Sequence, residues 1–310
     1  MSISRRKLLK SVVAAAAATA FPFSSSNAQD LDPSTGGSAA GDDVARLKAW
    51  SFALRDDPAG KSRPTFGKKA AHVGELAIGT PYVANTLEAY IRAGGDAAHE
   101  PLTLSLTEFD CVTLVESCQA VARASAWRRS PSWSDFGHQI ERMRYRGGIR
   151  RGYSSRLHYF SEWISDGAKR GLVTDIARQL GGVIDARPLR FMSAHRASYA
   201  ALANDSIFQQ IVEMEKRLDF HKRYVISKER IPEIADELQT GDVLAFATSV
   251  AGLDVTHSAY AYRRADGVMG VLHAPLSGGA VEISKKSLPD YVAAIKTSIG
   301  ILVARPRTAV

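Results

Sequence analysis

The hydrophobic periodicity of this 310-residue chain changes at Gly241-Asp242. Before this point, apolar residues recur at helical spacing. They predict helices over 43–55, 66–77, 84–92, 108–126, 133–144, 155–169, 196–203, 206–219 and 228–238. After it, short apolar runs predict strands over 243–247, 255–262, 270–274, 280–283 and 299–304. Helices followed by strands predict an α+β fold, with one helical layer packed on one antiparallel sheet.

The N-terminus has the three parts of an export signal. A basic head contains Arg5-Arg6, an alanine-rich apolar segment extends to Phe23, and Ser26-Asn27-Ala28 supplies small residues for cleavage. The arginine pair resembles a twin-arginine signal, which would place the mature protein in the periplasm. The alternative is an uncleaved helix that anchors the chain in a membrane. The short apolar segment favours a signal peptide over residues 1–28.

Removal of the signal peptide changes the charge of the chain. The whole sequence has a formal net charge of +8, and residues 1–28 hold four basic residues and no acidic one, which leaves +4. This mild charge, together with export, argues against a nucleic-acid partner, and we expect no stable membrane insertion after cleavage. Residues 29–41 are rich in Asp, Ser, Gly and Ala and predict a flexible lead-in. Residues 42–310 are predicted to form one catalytic domain.

Cys111 is the first candidate for chemistry. It follows Asp110 at the start of the longest predicted helix, where free backbone N–H groups and the helix dipole favour a thiolate. The alternative is a small core residue, because Cys111 also lies on the apolar stripe of that helix. Cys118 lies two turns further along, about 10 Å away, which is too far for a disulfide. We therefore predict two free thiols and assign Cys118 to the core.

Two histidines on successive predicted strands are candidates for a base and its partner. If residues 265–267 form a three-residue hairpin loop, Ala259 lies opposite His273, and His257 and His273 share one face. A two-residue loop would put them on opposite faces. Neither the histidines nor the cysteines have the spacing of a zinc site, so we predict no metal.

An arginine-rich segment extends from Arg144 to Arg156. Its thirteen residues include five arginines and two tyrosines, with three glycines between them. Guanidinium groups bind carboxylates or phosphates with two hydrogen bonds. The segment therefore predicts either an anion-binding loop or a solvated basic surface.

Taken together, these motifs resemble the NlpC-type superfamily of papain-like cell-wall hydrolases. Phe109–Glu116 resembles the nucleophile motif of this superfamily, and Gly241–Leu244 resembles the strand that follows its helical half. Asp254–His257 resembles its base strand, and Leu272–Ala274 contains its third polar residue. Gly79–Tyr82 resembles the motif that places a tyrosine by the nucleophile. The resemblance implies a papain-like fold in which a nucleophile helix from the helical N-terminal half packs on the C-terminal sheet. It also implies Cys111 as nucleophile, His257 as base, His273 as its orienting partner and Tyr82 beside the oxyanion.

A narrower resemblance concerns the bond that is cut. Residues 144–147 and 155–160, with Trp163, are similar to a branch of N-acetylmuramoyl-L-alanine amidases. This implies cleavage between N-acetylmuramic acid and L-alanine, with peptidoglycan or muropeptides as the partner and no cofactor. The implied substrate-binding residues are Arg144, Arg146, Arg156, His158 and Trp163. One departure is Ser258-Ala259 after the base, where a Val-Gly-like pair is expected.

Two alternatives stay open at the level of sequence. One is an endopeptidase of the same fold that cuts within the stem peptide. The other is a cell-wall binding protein without catalytic activity, against which the presence of all three candidate catalytic residues argues.

Overall fold

The structure is a computed structural model that describes residues 41–55, 64–127, 129–276 and 279–308. The predicted signal peptide and all but the last residue of the predicted lead-in lie outside these residues. The α-helices are α1 Gly41–Ala53, α2 Phe66–Leu76, α3 Ala89–Arg92, α4 Cys111–Ala124, α5 Trp133–Arg144, α6 Phe160–Lys169, α7 Phe191–Ala194, α8 Asp205–Leu218, α9 Ile231–Ile234 and α10 Leu288–Ala294. The strands are β1 Val173–Asp175, β2 Val183–Asp185, β3 Arg223–Ser227, β4 Val243–Thr248, β5 Val255–Arg263, β6 Met269–His273, β7 Glu282–Ile283 and β8 Ser298–Pro306.

The long periodic segments form the predicted helices, and the weaker ones do not form regular α-helices. The predicted helix over 155–169 does form an α-helix, α6, but begins only at Phe160. The segment 84–92 contains a 3-10 turn followed by the four-residue α3. The segment 196–203 forms two 3-10 turns, and 228–238 contains a 3-10 turn followed by the four-residue α9. Isolated short helices are marginal without an extended packed face, so these segments form single turns instead.

The strands form one antiparallel sheet in the order β2-β3-β8-β4-β5-β6-β7, with β1 paired to the end of β8. The predicted α+β class with an antiparallel sheet is thus confirmed. The sequence did not predict β1, β2 and β3, which come from the helical half of the chain. β1 and β2 have only three residues, and Val183 and Ile184 of β2 are exposed, so neither strand has a long apolar pattern.

The prediction of a single helical layer was wrong, because both faces of the sheet are covered. Every residue of β4 is buried. Val243 and Ala245 pack with the core beneath α2, α4 and α5, whereas Leu244 and Phe246 pack with residues of α9 and α10. Neighbouring residues of a strand point to opposite faces, so a fully buried strand requires a layer on each side.

One backbone contact sets the distance between α2 and the start of β4. Gly241 has a φ of 95°, and a Cβ atom at this position would lie 2.0 Å from the carbonyl oxygen of Gly67. Glycine is therefore required here both for its backbone conformation and for its lack of a side chain. Within the described residues, no helix is both long and apolar enough to span a membrane.

Candidate active site

Cys111 is the first residue of α4, and Asp110 caps this helix. The Asp110 carboxylate accepts hydrogen bonds from the backbone N–H groups of Val112 (2.9 Å) and Thr113 (2.7 Å). The Thr113 hydroxyl in turn accepts the N–H of Asp110 at 2.8 Å, which completes a capping box. These bonds define where the helix begins and leave the partly buried thiol at its N-terminal end.

The thiol is not the low-pKa group that its position at a helix N-terminus predicted. Burial and the neighbouring Asp110 carboxylate raise the pKa of Cys111 to about 11. The two effects together exceed those of the hydrogen bonds from Ser258 and from the backbone of Cys111, which lower the pKa. Both cysteines are free, as predicted, and Cys118 is buried in the core beneath the sheet.

Tyr82 lies beside the nucleophile. Its segment pairs in parallel with Phe109, through bonds from Phe109 N to Pro81 O (3.0 Å) and from Val83 N to Phe109 O (2.9 Å). The Tyr82 N–H also donates to Gly279 O at 2.8 Å. Burial, and after it the proximity of Cys111, raises the pKa of the Tyr82 phenol, which therefore stays protonated and can donate a hydrogen bond.

The two candidate histidines share one face, as the three-residue hairpin loop predicted. Arg264 N donates to Val268 O at 3.0 Å, and Tyr260 pairs with Leu272, which is the predicted register. The Nε2 atom of His257 lies 2.8 Å from the Nδ1 atom of His273, within hydrogen-bonding distance. The pairing of β5 with β6 therefore brings together two imidazoles that are 16 residues apart in sequence.

Both imidazoles are neutral at neutral pH. Burial, followed by the neighbouring His273, lowers the pKa of His257 to about 3. Burial also lowers the pKa of His273 to about 4. The His257 ring is stacked on Phe246 of β4, with ring centroids 5.5 Å apart. A neutral imidazole has a free lone pair that can accept a proton, but a pKa this far below neutrality makes it a weak base in the resting site.

Sequence reasoning did not identify three further side chains of the site. The Ser258 hydroxyl donates to the backbone carbonyl of Cys111 at 3.0 Å and so joins β5 to the start of α4. The Tyr291 hydroxyl lies 3.2 Å from Nδ1 of His273, and burial followed by the Cys111 thiol raises its pKa to about 12. The Glu282 carboxylate lies 3.6 Å from Nε2 of His273. Of these three residues, only Ser258 was noticed in the sequence, because Ser258-Ala259 stands where the family pattern has a Val-Gly-like pair.

The three arginines predicted to bind substrate are engaged within the protein. Arg144 is 3% exposed and donates to Glu116 at 2.8 Å and to a backbone carbonyl at 2.6 Å. Arg146 forms a two-pronged pair with Glu162 at 2.6 and 3.0 Å.

Arg156 pairs with Glu88 and lies 3.3 Å from Glu100. Arg144 and Arg156 are buried and would have to give up an acidic partner to bind a substrate carboxylate, whereas Arg146 is partly exposed. The loss of a buried pair costs about 3–5 kcal/mol. The substrate-binding role of these arginines thus has no support in their contacts and stays a prediction.

The other two predicted substrate-binding residues are packed inside the same segment. His158 is half-buried against the Tyr153 ring, and its Nε2 lies 2.9 Å from the Tyr153 carbonyl oxygen. Trp163 is 3% exposed and stacks on Phe160 with centroids 4.9 Å apart. Neither contact offers a free polar surface to a ligand. Across the described residues, no group of three or more His, Cys, Asp or Glu side chains converges as metal ligands.

The chain was compared with known families and solved structures. A family model described as AmiA-like, N-acetylmuramoyl-L-alanine amidase-like, matches residues 72–301. This range includes the candidate catalytic residues Tyr82, Cys111, His257 and His273. The chain therefore belongs to this family, and its class is that of amidase-like cell-wall hydrolases. No curated protein matches the chain.

Solved structures with the same fold include relatives from two Bacteroides species. An N-acetylmuramoyl-L-alanine amidase from Bacteroides uniformis is 31% identical, with a TM-score of 0.71, over 78% of this chain and 99% of that chain. A provisionally named xylanase from Bacteroides fragilis is 32% identical, with a TM-score of 0.68, over 75% of this chain and 98% of that one.

A protein from Legionella pneumophila, LPG0564, shares the fold at 17% identity, with a TM-score of 0.61 over 85% and 94% of the two chains. At this level of identity, the likeness concerns the fold alone.

Proposed function

We propose that the protein is a papain-like, NlpC-type N-acetylmuramoyl-L-alanine amidase with Cys111 as its nucleophile. The observation that carries the proposal is the 2.8 Å contact between His257 of β5 and His273 of β6. The next residue of β5, Ser258, is bonded to the backbone of Cys111. Nucleophile, base and orienting group are the three parts that cysteine acyl transfer requires. Membership of the amidase-like family directs this chemistry to peptidoglycan.

In the first step, the enzyme forms a thioester. Because the resting thiol and imidazole are both neutral, His257 takes the Cys111 proton as the sulfur attacks the lactyl carbonyl of muramic acid. The carbonyl oxygen becomes an oxyanion, which the N–H of Cys111 and the hydroxyl of Tyr82 stabilise. His257 then gives the proton to the nitrogen of L-alanine, the C–N bond breaks, and the stem peptide leaves with a free amine.

In the second step, water releases the sugar. His257 takes a proton from a water molecule, whose oxygen attacks the thioester carbonyl. The C–S bond breaks, the proton returns to the Cys111 sulfur, and the muramic acid leaves with a free carboxyl group. No step of this route needs a metal ion or a redox cofactor. The site of action that we propose is the periplasm, after export through the twin-arginine route.

Product analysis tests both the bond and the nucleophile. The protein without residues 1–28 is incubated with defined muropeptides, and the products are identified by mass spectrometry. We expect an intact stem peptide with a free L-alanine amine and a sugar without peptide. A sugar that still carries L-alanine and D-glutamate would identify an endopeptidase, and intact muropeptides would indicate a non-catalytic binding protein.

The second cysteine of the same helix provides a matched control. Cys111→Ala is expected to lower the rate of product release at least about 1000-fold, because the acyl acceptor is lost. Cys118→Ala removes a thiol from the core and is expected to leave most of the activity. Iodoacetamide is expected to inhibit and EDTA to have no effect. EDTA-sensitive hydrolysis that survives in Cys111→Ala would show that the cysteine mechanism is wrong.

A further inference from the structure

The hydrogen bond between the two histidines constrains where their protons lie. Nε2 of His257 is occupied by the contact with His273, so Nδ1 is the nitrogen left to receive the Cys111 proton. Nδ1 can accept a proton only when the resting neutral ring carries its proton on Nε2. Under the proposed function, on which this inference rests, the active form of His257 is therefore the Nε2–H tautomer.

His273 must also carry its proton on Nε2. If Nε2–H of His257 donates to Nδ1 of His273, then His273 must carry its own proton on Nε2. The opposite arrangement, with the proton of His273 on Nδ1, forces the proton of His257 onto Nδ1 and removes the base. The Tyr291 hydroxyl, 3.2 Å from the same Nδ1 atom, can donate or accept and is compatible with either tautomer.

The surroundings of Nε2 of His273 distinguish the two tautomers. His273 is 1% exposed, and its Nε2 atom is buried without a hydrogen-bond partner among the described residues. The nearest charged group is the Glu282 carboxylate, whose Oε1 lies 3.6 Å away. Glu282 is the register partner of His273 in the pairing of β6 with β7, so the backbone ladder holds the two side chains together.

We propose that Glu282 is a positioning residue, whose carboxylate holds His273 in the Nε2–H tautomer and thereby keeps Nδ1 of His257 free to accept the Cys111 proton. An ionised carboxylate can only accept hydrogen bonds, so it attracts an N–H group and disfavours a lone pair at Nε2. Among the described residues, Tyr291 of α10 and Phe246 of β4 also contact the histidine pair, and neither side chain carries a charge.

Nitrogen-15 spectra of histidine-labelled resting protein report the tautomers directly. Variants of single histidines assign the signals of His257 and His273. We expect both rings as Nε2–H tautomers in the wild type. In Glu282→Gln, we expect a measurable fraction of both rings to change to Nδ1–H. Glu282→Asp keeps a carboxylate and is expected to retain the wild-type tautomers. The matched control is Glu237→Gln, which removes an exposed carboxylate in the segment before β4.

Kinetics distinguish positioning from substrate contact. We expect Glu282→Gln to lower kcat in proportion to the fraction of rings that change tautomer, which is about tenfold when nine-tenths of them change, with KM unchanged. Unchanged tautomers in Glu282→Gln, or a raised KM without a loss of kcat, would overturn the proposal. The spectra are recorded without substrate, so they test the tautomers even if product analysis shows that the proposed function is wrong.

Discussion

At the residue scale, burial determines the charge of the candidate catalytic groups. It raises the pKa of Cys111 to about 11 and lowers those of His257 and His273 to about 3 and 4. The candidate groups therefore rest as a neutral thiol and two neutral imidazoles rather than as a thiolate and an imidazolium. In the proposed mechanism, charge would separate only when the sulfur attacks, and transfer of the proton to His257 would accompany formation of the C–S bond.

These pKa values predict an activity that persists in mild acid. A protonated His257 cannot accept the Cys111 proton, and the ring is protonated only when the pH approaches its low pKa. We expect kcat/KM for a muropeptide to be nearly constant between about pH 5 and 8 and to fall below about pH 4. A fall centred near pH 6.5, the ordinary histidine value, would contradict the burial of the pair.

The stability of the fold has to be followed in the same experiment. The pKa of each histidine is lower in the folded state than in the unfolded state, so the unfolded state binds more protons below about pH 6.5. The free energy of unfolding should therefore decrease as the pH falls from about 6.5 towards 4. Circular dichroism at each pH separates this loss of folded protein from protonation of the base.

At the scale of secondary-structure elements, the site depends on how α4 is attached to the sheet. Ser258 of β5 donates to the carbonyl of Cys111, and the Tyr260 hydroxyl donates to the carbonyl of Val115 at 2.7 Å. Ser258 and Tyr260 are on the same face of β5, and the two carbonyl groups that they contact are one turn of α4 apart. On the neighbouring helix α2, the approach of Gly67 to Gly241 sets the distance between α2 and the start of β4.

Two glycines with similar backbone angles test the importance of that approach. Gly241 has a φ of 95° and Gly267 a φ of 82°, but only at Gly241 would a Cβ atom collide with backbone. Gly267→Ala is expected to cost about 1–2 kcal/mol, from conformational strain alone. Gly241→Ala is expected to cost more than about 3 kcal/mol, because α2 must move away from β4.

Urea denaturation of both variants measures the difference in the free energy of unfolding. Equal losses of unfolding free energy in the two variants would mean that α2 moves away from β4 without cost. The contact between Gly67 and Gly241 would then be unimportant for packing.

At the scale of the whole molecule, the protein is predicted to act outside the cytoplasm. Its N-terminal residues carry half of the formal net charge and lie outside the described part of the structure. Export therefore rests on the sequence alone and stays a prediction. A periplasmic location would bring the proposed amidase into contact with its substrate.

The export signal can be tested in the native host. We expect the mature protein to begin near Gln29, as measured by mass spectrometry of its N-terminal peptide. Replacement of Arg5 and Arg6 by lysine is expected to leave the full-length precursor in the cytoplasm, whereas replacement of Lys10 by arginine serves as a control and leaves export unchanged. Full-length wild-type protein found only in the cytoplasm would show that the predicted signal is wrong.

The sequence by itself determined the features that depend on neighbouring residues. The apolar stripe predicted a helix over 108–126, which the structure has as α4 after its Asp110 cap, and the shared face of His257 and His273 follows from the loop of a single hairpin. The strands from β4 onwards follow from their apolar runs. Each of these features is specified within a few residues or one hairpin, where backbone geometry and alternation apply directly.

Only the tertiary structure decided the features that depend on distant residues. Arg144 pairs with Glu116, which is 28 residues away, and this ion pair was not predicted from the sequence. The pKa of Cys111 rises although its helix position favours a thiolate, because burial comes from the surrounding layers. Glu282 and Tyr291 reach His273 from other elements. Burial and charge pairing are properties of the packed chain, and no local pattern of residues specifies them.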